Sequence, residues 1–238
     1  MAGEPFLQIQ SLKQQIYEYL RERMRTGEIS PGSEINLDET SKKLGVSRTP
    51  LRDALLQLEA EGFVTIYPRR GVVVNRLSLR DVRNYYEIIG ALESAALALS
   101  FGRIGSPEIH VLETLVEGMD KALDAGDFDL YYEKNLAFHN TYLDLCGNDN
   151  LVRLVRTLKK RLYDFPRQKG FVKEWERASV DEHRSLLAFI SSGRRDEAAA
   201  YIRDVHWSFA VQEKYVLRYY EFPRETEPGP PTPGRTNS

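Results

Sequence analysis

The sequence predicts a mainly α-helical protein in two parts, an N-terminal winged helix-turn-helix over residues 1–77 and an all-helical bundle over residues 78–222. Three observations predict it. Residues 9–62 carry three helical patterns separated by turn residues, and residues 63–75 read as two β-branched runs about a Pro-Arg-Arg-Gly tip. From Ser78 onward every patterned segment has a helical period, with no strand signal.

Each element follows from its residues. Ile9, Leu12, Ile16, Tyr19 and Leu20 recur at three- and four-residue spacing, which predicts an amphipathic helix ending near Gly27, before a turn at Ser30-Pro31-Gly32. LDETSKKLG is a short second helix with Gly45 at its C-terminal end. The third helix begins at Ser47, whose hydroxyl is expected to cap it, and Pro50 lies in the first turn where its missing donor costs nothing. It runs to Glu61 and stops at Gly62; Leu51, Ala54, Leu55 and Leu58 form its buried stripe and leave Arg48, Thr49 and Arg52 to one side. FVTIYPRRGVVVN then reads as a hairpin.

In the second part, Ser78 with Asp81 forms a capping box, and Ser106-Pro107-Glu108 is a cap followed by proline at the first helical position. Asn148 or Asp149 caps another helix, and Gly102, Gly126, Gly147 and Gly193 sit at helix ends, giving about six helices in a bundle. Residues 223–238, rich in Pro, Gly and polar residues, are expected to be disordered.

Composition bounds the function. Of 238 residues, 42% are hydrophobic and 29% charged, the balance of an ordinary globular protein. No apolar run approaches the roughly 20 residues that span a bilayer, and the N-terminus lacks the blocks of a signal peptide, so the expectation is a cytoplasmic protein with no membrane partner. A single cysteine, Cys146, excludes an intramolecular disulfide and a Cys-rich zinc cluster. The net charge is −2, and residues 1–76 hold 11 Lys and Arg against 10 Asp and Glu, so any case for nucleic acid rests on local geometry.

That geometry is present. A recognition helix offers its N-terminal residues to base edges, and Arg48 and Arg52 lie one turn apart at that end, where arginine donates two hydrogen bonds to guanine. Ser47 and Thr49 are placed to hold phosphate oxygens, and Arg69 and Arg70 beside Gly71 to reach an adjacent groove or the backbone. In the second part three of four histidines, His139, His183 and His206, fall on separate predicted helices, and Asn135 shares a helix face with His139. Three imidazoles converging in a bundle suit Zn, Ni or Fe and leave positions open. The alternatives are a metal-dependent enzyme that activates water at the three histidines, and a helical scaffold without a ligand. His110 has no partner at ligand spacing and reads as structural or exposed.

The run LGVSRTPLRDALLQLEAEGFVTIYPRRGVVV resembles the winged helix-turn-helix of the GntR family of bacterial regulators. The resemblance implies a homodimer on inverted-repeat operator DNA, with Arg48 and Arg52 as base or phosphate contacts and Gly71 in the wing. Asp38 stands where a related subset has arginine, so a contact made there is missing. Residues 78–220 resemble the FCD domain of the FadR subgroup, and His139, His183 and His206 fall on its histidine positions. Asn135 stands where aspartate is common; its carbonyl coordinates without adding charge. A divalent ion, zinc or nickel, held by neutral ligands keeps its full charge and favours a small carboxylate effector. Arg161, first, then Arg156 and Arg153 are the candidate arginines for that carboxylate, since the family's arginine near the position of Ile89 is absent. The implied function is ligand-responsive control of transcription, with repression and activation both open.

Overall fold

The computed structural model describes residues 11–163, 171–220 and 222, and the expected disordered tail lies outside them. Helix α1 (Leu12–Arg25) is capped by the Ser11 hydroxyl, which accepts from the Gln14 N–H, and it buries Ile16, Tyr17, Leu20 and Met24. Helix α2 (Leu37–Leu44) is capped by Asn36 and closed by Gly45 in the left-handed region. Helix α3 (Arg48–Ala60) buries the expected stripe of Leu51, Ala54, Leu55 and Leu58. Ser47 precedes it in an extended conformation, but its hydroxyl makes no capping bond, contrary to expectation. The N–H groups of the first turn are thus left to solvent or to a ligand.

The hairpin forms as read, with β2 (Val64–Tyr67) antiparallel to β3 (Gly71–Val74). An unexpected two-residue strand, β1 (Glu34–Ile35), pairs with the other edge of β3, giving the order β1-β3-β2. Two residues are too few to show an alternating pattern. The tip is tightly wound: Arg69 adopts a φ of 65° and Gly71 a φ of 105°. A Cβ on Gly71 would also run into the Glu34 carboxylate. Gly71→Ala is therefore expected to cost about 1 kcal/mol or more, read as a lower urea midpoint at unchanged slope.

The second part contains α4 (Leu79–Ser100), α5 (Ser106–Ala125), α6 (Phe128–Leu143), α7 (Asp149–Tyr163), α8 (Lys173–Ser191), α9 (Arg195–Tyr201) and α10 (Phe209–Tyr219). Among the described residues that is seven helices, one more than expected, because α9 and α10 are separated by a π-turn at Ile202–His206. The Ser78–Asp81 capping box forms as read. At α5, however, Gly105 is the cap, its N–H donating to the Glu108 carboxylate at 2.8 Å, and Ser106 is already helical. Asn148 caps α7 by accepting from the Leu151 N–H at 3.1 Å. Gly126, Gly147 and Gly193 take the left-handed conformation of helix ends, whereas Gly102 lies inside a short 3-10 turn.

Helix α4 is the axis of the bundle. It packs on α6, α7, α9 and the π-turn, while α5 forms a hairpin with α6 and lies against α8. Gly90 on α4 permits the closest approach, since a Cβ there would lie 2.9 Å from the Trp207 Cβ. Among the described residues no helix is long and apolar enough to cross a membrane.

Candidate metal centre and nucleic-acid interface

Ser47, Arg48, Thr49 and Arg52 are all exposed at the N-terminal end of α3, and Arg69 and Arg70 are exposed at the hairpin tip beside the half-buried Gly71. The buried stripe of α3 fixes this, because it faces α1 and the sheet and turns the arginine side outward. Arg48 is paired with Asp38 of α2, the two side chains being 71% and 65% exposed. A pair so exposed stabilises the fold by about 0–1 kcal/mol, which a phosphate or a guanine edge can outbid.

The three histidines converge. Their ligand atoms lie within 4.8 Å of one another, with His139 and His183 buried and His206 at the edge of a cavity. Each imidazole is oriented through Nδ1. His183 Nδ1 lies 2.6 Å from the Ser179 carbonyl, which only accepts, so Nδ1 carries the proton. His206 Nδ1–H donates to the Glu182 carboxylate at 2.8 Å, and His139 Nδ1–H to Glu93 Oε2 at 2.8 Å. All three Nε2 atoms are thereby left as bare lone pairs.

Nε2 of His139 and Nε2 of His183 stand 3.3 Å apart. Two lone pairs at that distance repel unless a cation lies between them, and the spacing matches two nitrogens about 2.0–2.1 Å from one tetrahedral ion. Burial drives the His139 pKa down to about 3 and that of His183 well below its ordinary value, so both are neutral and fit to bind metal at physiological pH. One turn before His139, Asn135 is 6% exposed, and its Oδ1 is buried with no hydrogen-bond partner. It lines the same cavity as His206. An orphaned carbonyl oxygen beside three convergent nitrogens is a donor set that fits a divalent ion.

Behind the histidines lies a buried hub that sequence reasoning missed. Glu93 of α4 is fully buried. Its Oε2 accepts from His139, from the Tyr142 hydroxyl and, at 3.1 Å, from the Trp207 indole N–H, and its Oε1 is paired with the Lys159 ammonium. Burial alone would raise the Glu93 pKa, but the Lys159 ammonium and the hydrogen bonds from His139 and Lys159 hold it well below the usual carboxylate range. Burial lowers the Lys159 pKa, and Glu93 opposes that. The one signal in the sequence was a lone glutamate within the apolar stripe Ile89, Gly90, Ala96 and Leu97. Nothing in the sequence announced the π-turn either. It closes with the Trp207 N–H donating to the Ile202 carbonyl at 2.9 Å, and the wider turn carries His206 toward Glu182 on α8.

The arginines assigned to the effector lie elsewhere. Arg161 is buried under the N-terminal part, its guanidinium 4.9 Å from the centre of the Phe63 ring and close to Gly62. Arg156 pairs with Asp144 on the surface, and Arg153 bonds Asn150. None of the three lines the cavity beside the histidines. The reason is the orientation of α7, which turns Val155, Lys159 and Leu162 inward and Arg156 away. His110 is exposed, 3.7 Å from Glu113, as expected.

Comparison with known proteins adds three findings. Residues 84–206 match the family model described as the FCD domain, and residues 12–74 match that of the bacterial regulatory proteins, gntR family. The Nta operon transcriptional regulator of Aminobacter aminovorans is 31% identical over 176 residues, 72% of this chain and 80% of that protein. The HTH-type transcriptional regulator YdhC of Bacillus subtilis is 27% identical over 190 residues, 79% of this chain and 84% of that protein. In structure, a GntR transcriptional regulator from Rhodococcus sp. RHA1 superposes with a TM-score of 0.67 at 17% identity, covering 89% of this chain and 100% of that one, a likeness of fold alone.

Proposed function

Because the chain belongs to the GntR family of bacterial regulatory proteins, with an FCD domain behind its winged helix-turn-helix, we propose that it binds operator DNA as a homodimer and changes its grip when a small carboxylate effector enters the cavity beside a divalent ion. The family and the named relatives are DNA-binding transcriptional regulators, not enzymes, and the enzyme alternative has no support.

On the DNA side, Arg48 and Arg52 read guanine edges, Ser47 and Thr49 hold phosphates with the uncapped N–H groups of α3, and Arg69, Arg70 and Gly71 bring the wing to an adjacent groove. Support for the dimer comes from α4, whose outer face carries Ile88, Leu92 and Leu99, an apolar strip that one chain leaves partly open to water. A two-fold axis through such a strip would present two recognition helices to two half-sites.

On the sensor side, one observation carries the reading: three histidine lone pairs and an orphaned asparagine oxygen converge at the wall of a cavity. His139, His183 and His206, with Asn135, would hold zinc or nickel, which supplies a positive site for an oxygen ligand. Coupling to the DNA head runs along α7. Lys159 touches Glu93, which orients His139, and two residues later Arg161 packs on Phe63, next to the end of α3. A ligand that moves His139 therefore acts on a helix that also touches the reading head.

The test is stoichiometry. Elemental analysis of native protein is expected to give about one divalent ion per chain, bound by the three-nitrogen set, and none in His183→Ala. A metal-free wild type that still releases DNA on adding effector would overturn the sensor reading.

A further inference from the structure

The cavity beside the histidines is lined by sixteen residues, of which nine are aromatic and six of those tyrosine. Three of their polar handles are visibly committed inside the protein. The Trp175 indole N–H donates to Gln212 at 2.8 Å, the Tyr220 hydroxyl to the Leu162 carbonyl at 2.8 Å, and the Trp207 indole N–H to Glu93. The rings also brace one another edge to face, Tyr132 on Tyr163 at 5.1 Å and Trp175 on Tyr219 at 5.6 Å. What they chiefly offer an occupant is ring surface, which favours offset or edge-on contact with another ring.

The histidine cluster makes one side of the cavity polar. There the Asn135 carbonyl, with no partner, and His206 share the cavity wall. Two carboxylates also line the cavity, Glu176 and Glu182, the latter held by His206 and by the Gln212 amide at 2.9 Å. A second carboxylate on an occupant, with no second ion to meet it, would add to that negative charge, and scattered hydroxyls would lose water against ring faces.

From this polarity we propose that the cavity selects aromatic monocarboxylates over aliphatic dicarboxylic and polyhydroxy acids. The inference rests on the reading of the histidine cluster as the metal end of the effector site. The carboxylate takes the polar end and the ring lies among Tyr132, Tyr163, Trp175 and Tyr219.

The two tryptophans of the chain, Trp175 and Trp207, both line the cavity, so intrinsic fluorescence reports its occupancy. Full-length protein loaded with zinc is titrated with benzoate, cinnamate and indole-3-acetate, and separately with succinate and gluconate. At least one aromatic acid is expected to quench the emission with a Kd tenfold or more below those of succinate and gluconate. Tyr132→Leu, at a half-buried position, is expected to erase that preference while elemental analysis still finds zinc. Failure of every aromatic acid to bind, or equal binding by succinate or gluconate, overturns the proposal. Binding of an aromatic acid with the same Kd before and after zinc is stripped leaves the selectivity standing and removes the metal reading instead.

Discussion

Alanine at both Arg48 and Arg52 is expected to weaken operator binding by roughly 100-fold or more, since each bidentate guanine contact discriminates by about 1–3 kcal/mol. Both side chains are exposed on α3, so the fold is expected to lose little beyond the surface pair with Asp38. Metal content by elemental analysis is expected to match that of the wild type, because every residue of the histidine cluster lies in the second part of the chain. Fluorescence anisotropy on a fragment carrying the intergenic region beside the chain's own gene measures the loss. Repeating it across a salt series separates the roles: an arginine that touches only phosphate lowers the log–log salt slope by about 1, whereas one that reads a base lowers affinity with relaxed sequence preference. Unaltered affinity in the double variant would mean that another surface reads the DNA.

Legibility in the sequence followed the range of the interactions. Helix α3 and its hairpin were readable because a stripe at Leu51, Ala54, Leu55 and Leu58 and a Pro-Arg-Arg-Gly tip are local features. Strand β1 was not, since Glu34 and Ile35 are extended only because β3 offers an edge. The histidines stood out by scarcity, four in the chain, and by family resemblance, but their convergence depends on α6, α8 and the π-turn coming together. Arg161 shows a limit of another kind. Its position on an amphipathic helix was clear, yet helical periodicity does not say which neighbour covers which stripe, and Phe63 of the N-terminal part covers it rather than the cavity. Glu93 was the largest omission, because a buried carboxylate is made tolerable only by tertiary partners such as Lys159 and Trp207, which lie far along the chain.

Those partners make Glu93 a consequential position in the helical part of the chain. Glu93→Ala leaves the Lys159 ammonium buried with no counter-charge, which is expected to cost about 3–5 kcal/mol of stability. It also strips His139 of its Nδ1 acceptor, so zinc affinity is expected to fall about 10–100-fold. The two losses have different causes and can be separated. In Glu93→Gln with Lys159→Met the buried charges leave together, so most of the stability is expected to return in urea melts. Zinc affinity, measured by competition with a chromogenic chelator, is expected to stay low, because a neutral amide oxygen orients and enriches an imidazole less than a carboxylate does. If the double variant regained full zinc affinity, Glu93 would be only a partner for Lys159, and the orientation of His139 would have to come from Tyr142, whose hydroxyl lies 2.7 Å from the same nitrogen.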